Sequence, residues 1–203
     1  MVDVLTSLQQ GDIAAIVVDG AADLAQLDAG RVNVLHQLKD TAIGRQAEGV
    51  DAMTIDIVAM LFDYIFDDRK IPDSLKALIG RLQIPILKVA ILDKKFFSRK
   101  THPARRLLDT LAHTAIGWNE QGREQDRLYA KLDSLVHRIL SSFEDDLAVF
   151  ESAQQELEQF LADEEQQALQ LAEASAKVIY DHEWLAVAKA VAEAEIRRRI
   201  SGA

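Results

Sequence analysis

Between Gly122 and Gly202 the chain has neither glycine nor proline, so 79 consecutive residues lack both strong helix interrupters. Long helices are the natural reading of such a stretch, and nine glycines and three prolines in the whole chain argue against the turn-dense architecture of a β-sandwich or barrel. Apolar side chains follow the same reading. Leu128, Leu132, Leu135, Ile139, Phe143, Leu147 and Phe150 recur at helical spacing, and a seven-residue repeat continues from Phe143 through Phe150, Leu157, Glu164, Leu171, Val178 and Leu185 with one charged exception. The repeat predicts a coiled-coil-like interaction seam carried by Phe143, Phe150, Leu157, Leu161 and Leu171. Two starts compete along it. Ser141 with Glu144 has capping-box spacing and leaves a break near residue 141 open, and Asp181 is a candidate start for a final helix with Trp184, Leu185, Val187, Ala188, Val191 and Ile196.

The first part of the chain is also helical by pattern. Ile55, Val58, Ala59, Phe62, Ile65 and Phe66 line one face of a helix ending near Asp67-Asp68. A second helix begins at Ile71-Pro72-Asp73, where proline costs no hydrogen bond, and buries Leu75, Leu78, Ile79 and Leu82. Pro85 then predicts a kink or break. A short apolar segment, 86–92, leads into a polar connection over 93–101, and His102-Pro103 opens a helix that ends at Gly117. Val4, Leu5 and Leu8 suit a short helix, 32–43 reads as another, and β-branched residues at 13–18 allow a strand with no evident partner. No period of 20 to 50 residues repeats. The expected fold is all-α, with seven or eight helices: a helical bundle or helical-repeat-like stack of antiparallel helices with long C-terminal helices. Its expected organisation is a globular region over 1–118 and a long-helix region over 119–203, either as two parts or as one continuous domain.

Charge divides the chain more sharply than hydrophobicity does. The net charge is -10, yet residues 69–108 hold eleven basic side chains against two acidic ones, while residues 139–176 hold ten acidic and no basic ones. The basic island culminates in Lys94, Lys95, Arg99, Lys100, Arg105 and Arg106, interleaved with Phe96 and Phe97 just ahead of a helix N-terminus. Free backbone N–H groups at such an end favour anions, which makes these six cations the candidate anion-binding set. The plainer account is that Phe96 and Phe97 are buried anchors and the cations neutralise acidic helices of this chain or of a second copy.

Catalytic chemistry is hard to find. There is no cysteine, no glycine-rich phosphate loop and no GxSxG turn, and His182-Glu183 lacks the second histidine of a zinc-binding HExxH helix. His113 and His137 could meet across helices, but ordinary surface histidines are the simpler reading. Asp67-Asp68 and Asp145-Asp146 are adjacent pairs that point about 100° apart on a helix and share no face. No catalytic residue, metal site or cofactor is assigned. The longest apolar runs are far below the ~20 residues of a membrane span, and the N-terminus lacks the features of a secretory signal, so the expected location is the cytoplasm.

The segments DIVAMLFDYIFDDRKIPDSLKALIGRLQIPILKVAILDKKFFSRKTHPARRLLDTLAHTAIGW (56–118) and FEDDLAVFE (143–151) resemble the proteobacterial domain-of-unknown-function family numbered 1631. The resemblance covers most of the chain and implies longer cytoplasmic proteins, of which this is an internal helical fragment. Some relatives carry the name thymidine phosphorylase, which has no support here from a phosphate loop or nucleoside-site constellation. Others carry a C-terminal β-domain similar to cyclic-dinucleotide-binding modules, which this chain lacks. The expected function is a non-enzymatic helical scaffold or regulatory interaction module that docks a protein partner or self-associates. The alternative is binding of a phosphate-bearing ligand (nucleotide, cyclic dinucleotide or nucleic acid) through the island at 94–106. A third reading is an enzyme whose acid–base groups follow no familiar pattern.

Overall fold

The computed structural model describes residues 2–10, 32–40, 44, 45, 47, 49–116, 118 and 123–201. Every regular element among them is an α-helix, so the chain is all-α. In order these are α1 (Val2–Gln10), α2 (Val34–Asp40), α3 (Val50–Asp67), α4 (Asp73–Gly80), α5 (Gln83–Leu92), α6 (Lys95–Ser98), α7 (Pro103–Ala115), α8 (Arg123–Ser142) and α9 (Ala148–Ser201). The strand suggested at 13–18 and the helix end at Gly117 lie outside the described residues, as do 41–43 of the helix read over 32–43. Two compact units emerge, residues 1–157 and residues 158–203, and residue 118 lies within the first.

The first unit is organised around α5. Gln83, Pro85, Ile86, Leu87, Lys88, Val89 and Ala90 are all buried, because α1, α2, α3 and α6 pack around this one short helix. A helix apolar around its whole circumference is stable in water only when covered in this way. On α3, Ile55, Val58, Ala59, Phe62 and Ile65 form the buried stripe that the periodicity predicts, and on α7 it is Leu107, Leu108, Leu111 and Ala115. Gly49 precedes α3 with φ of 55°, a conformation that a β-carbon would strain.

Three boundaries differ from the sequence expectation. The interruption ascribed to Pro85 falls earlier, at Arg81–Leu82, and α5 accommodates Pro85 in its first turn, where its missing N–H is no loss. The polar connection over 93–101 contains a single helical turn, α6. The break near 141 lies at 143–147, and Ser141-Glu144 does not cap it: Ser141 Oγ donates back to the Arg138 carbonyl at 3.2 Å, while Asp146 Oδ1 accepts the Ala148 N–H at 2.9 Å and starts α9. Asp181 starts nothing. α9 runs through it without interruption.

Buried polar groups tie distant segments together. Gln9 Nε2 on α1 donates to the carbonyls of Leu140 at 2.9 Å and Phe143 at 2.8 Å, satisfying acceptors left open where α8 ends. Gln83 is fully buried and bridges backbone on both sides of the entry to α2, accepting from Val34 N–H at 2.9 Å and donating to the Val32 carbonyl at 2.9 Å. Lys88 is also fully buried, with Nζ 4.9 Å from the centre of the Phe143 ring and no hydrogen-bond partner among the described residues. Burial pushes its ammonium below the ordinary value of 10.5, against the pull of Glu144, Asp145 and Asp3.

Candidate functional site

The basic island is built where α5 gives way to α6 and α7. Asp93 Oδ1 accepts the Lys95 N–H at 2.9 Å, which turns the chain into α6 and drives Phe96 into the core. There the Phe96 ring meets Phe97 edge-on at 5.1 Å and His102 edge-on at 5.5 Å. His102 is buried, and burial lowers its imidazole below the ordinary 6.5; the Asp93 carboxylate, 3.6 Å away, opposes that shift.

The six cations divide by surroundings. Lys94 pairs with Asp51 of α3 at 3.4 Å, and Arg105 Nη1 donates to the Phe97 carbonyl at 3.3 Å. Lys95, Arg99, Lys100 and Arg106 are exposed on the surface around the start of α7. Other basic residues nearby bind carboxylates of the same unit: Arg81 holds Asp133 of α8 at 2.9 Å, and Lys131 and Arg138 of α8 both clasp Glu156 of α9. That pair of hydrogen-bonded cations holds the Glu156 carboxyl below its ordinary value of 4.5.

Beside the island lies an apolar surface that the sequence pattern did not flag. A hollow of about 280 Å³ is lined by Ile57, Leu61, Phe96, Phe97, Arg105 and Leu108 among others. A second, of about 270 Å³, shares Leu61 and Leu108 and extends to Tyr64, Ala112, His113 and Ile116. Both lie between α3 and α7. The outward side of α3 adds Val50, Met53, Ile57, Met60 and Tyr64, all exposed, the last at 75%. These five recur at three-and-four spacing interleaved with the buried set, and that second set within 50–66 is the signal that could have disclosed them.

The five seam residues separate into two environments. Phe143, Phe150 and Leu157 are fully buried in the first unit, with the rings of Phe143 and Phe150 edge-to-face at 4.9 Å. Leu161 is half-buried, and Leu171 is exposed. Beyond it Val178, Ile179, Tyr180, Trp184, Leu185, Val187 and Val191, together with Leu169 and Leu171, are each 59–69% exposed. Histidines and paired acids gather into no centre: His113 and His137 are both exposed, Asp68 and Asp146 accept backbone N–H groups at turns, and no His/Asp/Glu cluster able to hold a metal lies among the described residues. No helix among those residues is long and apolar enough to cross a membrane.

These features define an all-α domain with a packed helical body and a long helix rich in uncovered apolar side chains. Residues 1–146 match the family model described as protein of unknown function (DUF1631) 2nd domain, and the chain belongs to that family. No curated protein and no solved structure matches it.

Proposed function

We propose that this chain is a non-enzymatic cytoplasmic interaction module, a helical scaffold or regulatory domain that uses α9 to engage protein partners or copies of itself. One observation carries the reading: from Leu169 to Val191 nine large apolar side chains of α9 stand 59–69% exposed. Leu171, Val178 and Leu185 form one line along the helix, whereas Leu169, Tyr180 and Val187 lie roughly opposite, at about 100° per residue. Exposed apolar surface on this scale marks an interaction site. The test compares wild type with the triple variant Leu171→Asp, Ile179→Asp, Val187→Asp, which puts a charge on three different sides of the helix, measuring both self-association by light scattering and retention of proteins from cell extract. Wild type should show at least one of these and the variant should lose it while remaining helical by circular dichroism. A wild-type chain that neither self-associates nor retains any protein contradicts the proposal.

A second reading, recognition of a phosphate-bearing ligand, is supported by the exposure of Lys95, Arg99 and Lys100 within six residues. If Arg99→Glu with Lys100→Glu leaves nucleotide, cyclic-dinucleotide and nucleic-acid binding at the wild-type level, that reading fails.

A further inference from the structure

We infer that the distal part of α9 pairs with the same segment of a second copy, antiparallel, about a two-fold axis level with Asp181. This rests on the reading of α9 as an interaction element and names its partner. The first observation is the exposed apolar block just described, which spans Leu169–Val191 and is centred within about one residue of Asp181. The second is the order of charge along the helix. Asp163, Glu164, Glu165 and Glu173 outweigh Lys177 before the centre, while Lys189, Arg197, Arg198 and Arg199 outweigh Glu183, Glu193 and Glu195 after it. Parallel pairing would set the acid-rich end against its own copy and the Arg197–Arg199 cluster against its own copy, and like charges at close range repel. Antiparallel pairing opposes the two ends.

Charge also selects the register. With Asp181 at the axis, Glu165 of one copy is level with Arg197 of the other and Glu173 is level with Lys189. Glu165 and Arg197 each lie 16 residues from Asp181, which places both on the side of the helix turned away from it, at about 100° per residue. The same side carries Ala172, Ala176 and Ala190, small enough for the backbones to approach closely, with Ile179 as its large apolar side chain and Leu169 and Val187 at its margin. Asp181 itself points away from the contact. Within its helix Arg197 pairs with the Glu193 carboxylate at 3.8 Å, and its side chain is 81% exposed, so it can turn to a partner. Glu183 is the acidic residue on the contact side near the centre, and two copies bring two such charges close together.

The experiment uses the whole chain. Light scattering and sedimentation at tens of micromolar should give a dimer. The chain has no cysteine, so a single nitroxide can be placed by Gln167→Cys. In the antiparallel pair the two labels sit 28 residues apart along the axis, roughly 40 Å at about 1.5 Å per residue; a parallel pair places them side by side. Glu165→Arg should weaken dimerisation roughly fivefold, adding Arg197→Glu should restore it, and Glu183→Leu should tighten it. A monomer, labels side by side, or a double variant no better than Glu165→Arg overturns the inference. A monomer that still retains another protein through Leu171, Ile179 and Val187 overturns the self-pairing alone and leaves the interaction reading standing.

Discussion

Helix α5 and the distal half of α9 are both apolar around most of their circumference, yet one is sealed from water and the other is bathed in it. In α5 seven of ten residues are buried, because four other helices of the first unit surround it. In α9 every described side chain from 165 to 194 is exposed, except a half-buried Ala188. Apolar residues distributed around a helix state that cover is needed, and do not state whose atoms provide it. For α5 the cover is internal. The difference separates stability from association: the same substitution should cost folding in one helix and company in the other.

The largest effect is expected where cover is complete. Ile86→Ala should lower the unfolding free energy by about 3 kcal/mol in urea denaturation, since truncation of a fully buried side chain leaves a cavity. Leu185→Ala, measured in dilute monomer, should change it by less than about 0.5 kcal/mol. Equal losses at the two positions would break the comparison.

Lys88 sharpens it further. Its charge is disfavoured by burial, so Lys88→Met, similar in length and without the ammonium, should stabilise the domain by roughly 1 kcal/mol at neutral pH. A lowered folded value means that the unfolded chain binds the extra proton. Wild-type stability should therefore rise as pH climbs through that value toward 10.5, and the variant should lack this rise. Lys177→Met, on the exposed helix, should leave folding unchanged.

Where α9 is still packed, Glu156 is its ionic tether. Glu156→Gln should cost about 1 kcal/mol, a modest figure because the pairs are more than one-third exposed on the glutamate side. Because the carboxyl is held below 4.5, this contribution is present above that pH and is lost as pH falls through the folded value. The smallest effect concerns His102, whose folded value lies below 6.5. Stability should decline as pH falls from 6.5 toward that value, and His102→Gln should flatten this part of the stability profile without altering the α9-dependent association.

Local signals made much of the fold legible. The stripe from Ile55 to Ile65, the proline-led entries to α4 and α7, and the long helices of the described residues after Gly122 follow from spacing and turn chemistry within a few residues. Properties set by distant neighbours were out of reach. Lys88 counts as one more cation of the basic island by sequence, yet it is in the core because the middle of α5, 85–90, is buried all round. The Phe143–Leu171 repeat reads as one seam, and only the packing of α8 and α7 against the start of α9 reveals that its first half is already occupied. Asp146 won over Ser141 as the start of α9 because its carboxylate reaches a free N–H two residues ahead, whereas the serine hydroxyl turns back to its own helix. In the candidate site the cations were legible, but the apolar stripe on the outside of α3 was masked by the stronger inner one.

The contact made by Gln9 implies an order of events in the making of the molecule. Its amide secures the end of α8, so a residue near the start of the chain waits for carbonyls more than 130 positions later before its own place is fixed. At synthesis rates of about 5–20 residues per second that interval is on the order of ten seconds. During it α1 has no lasting berth against that end, and the bundle closes only when its beginning meets a helix made near its finish.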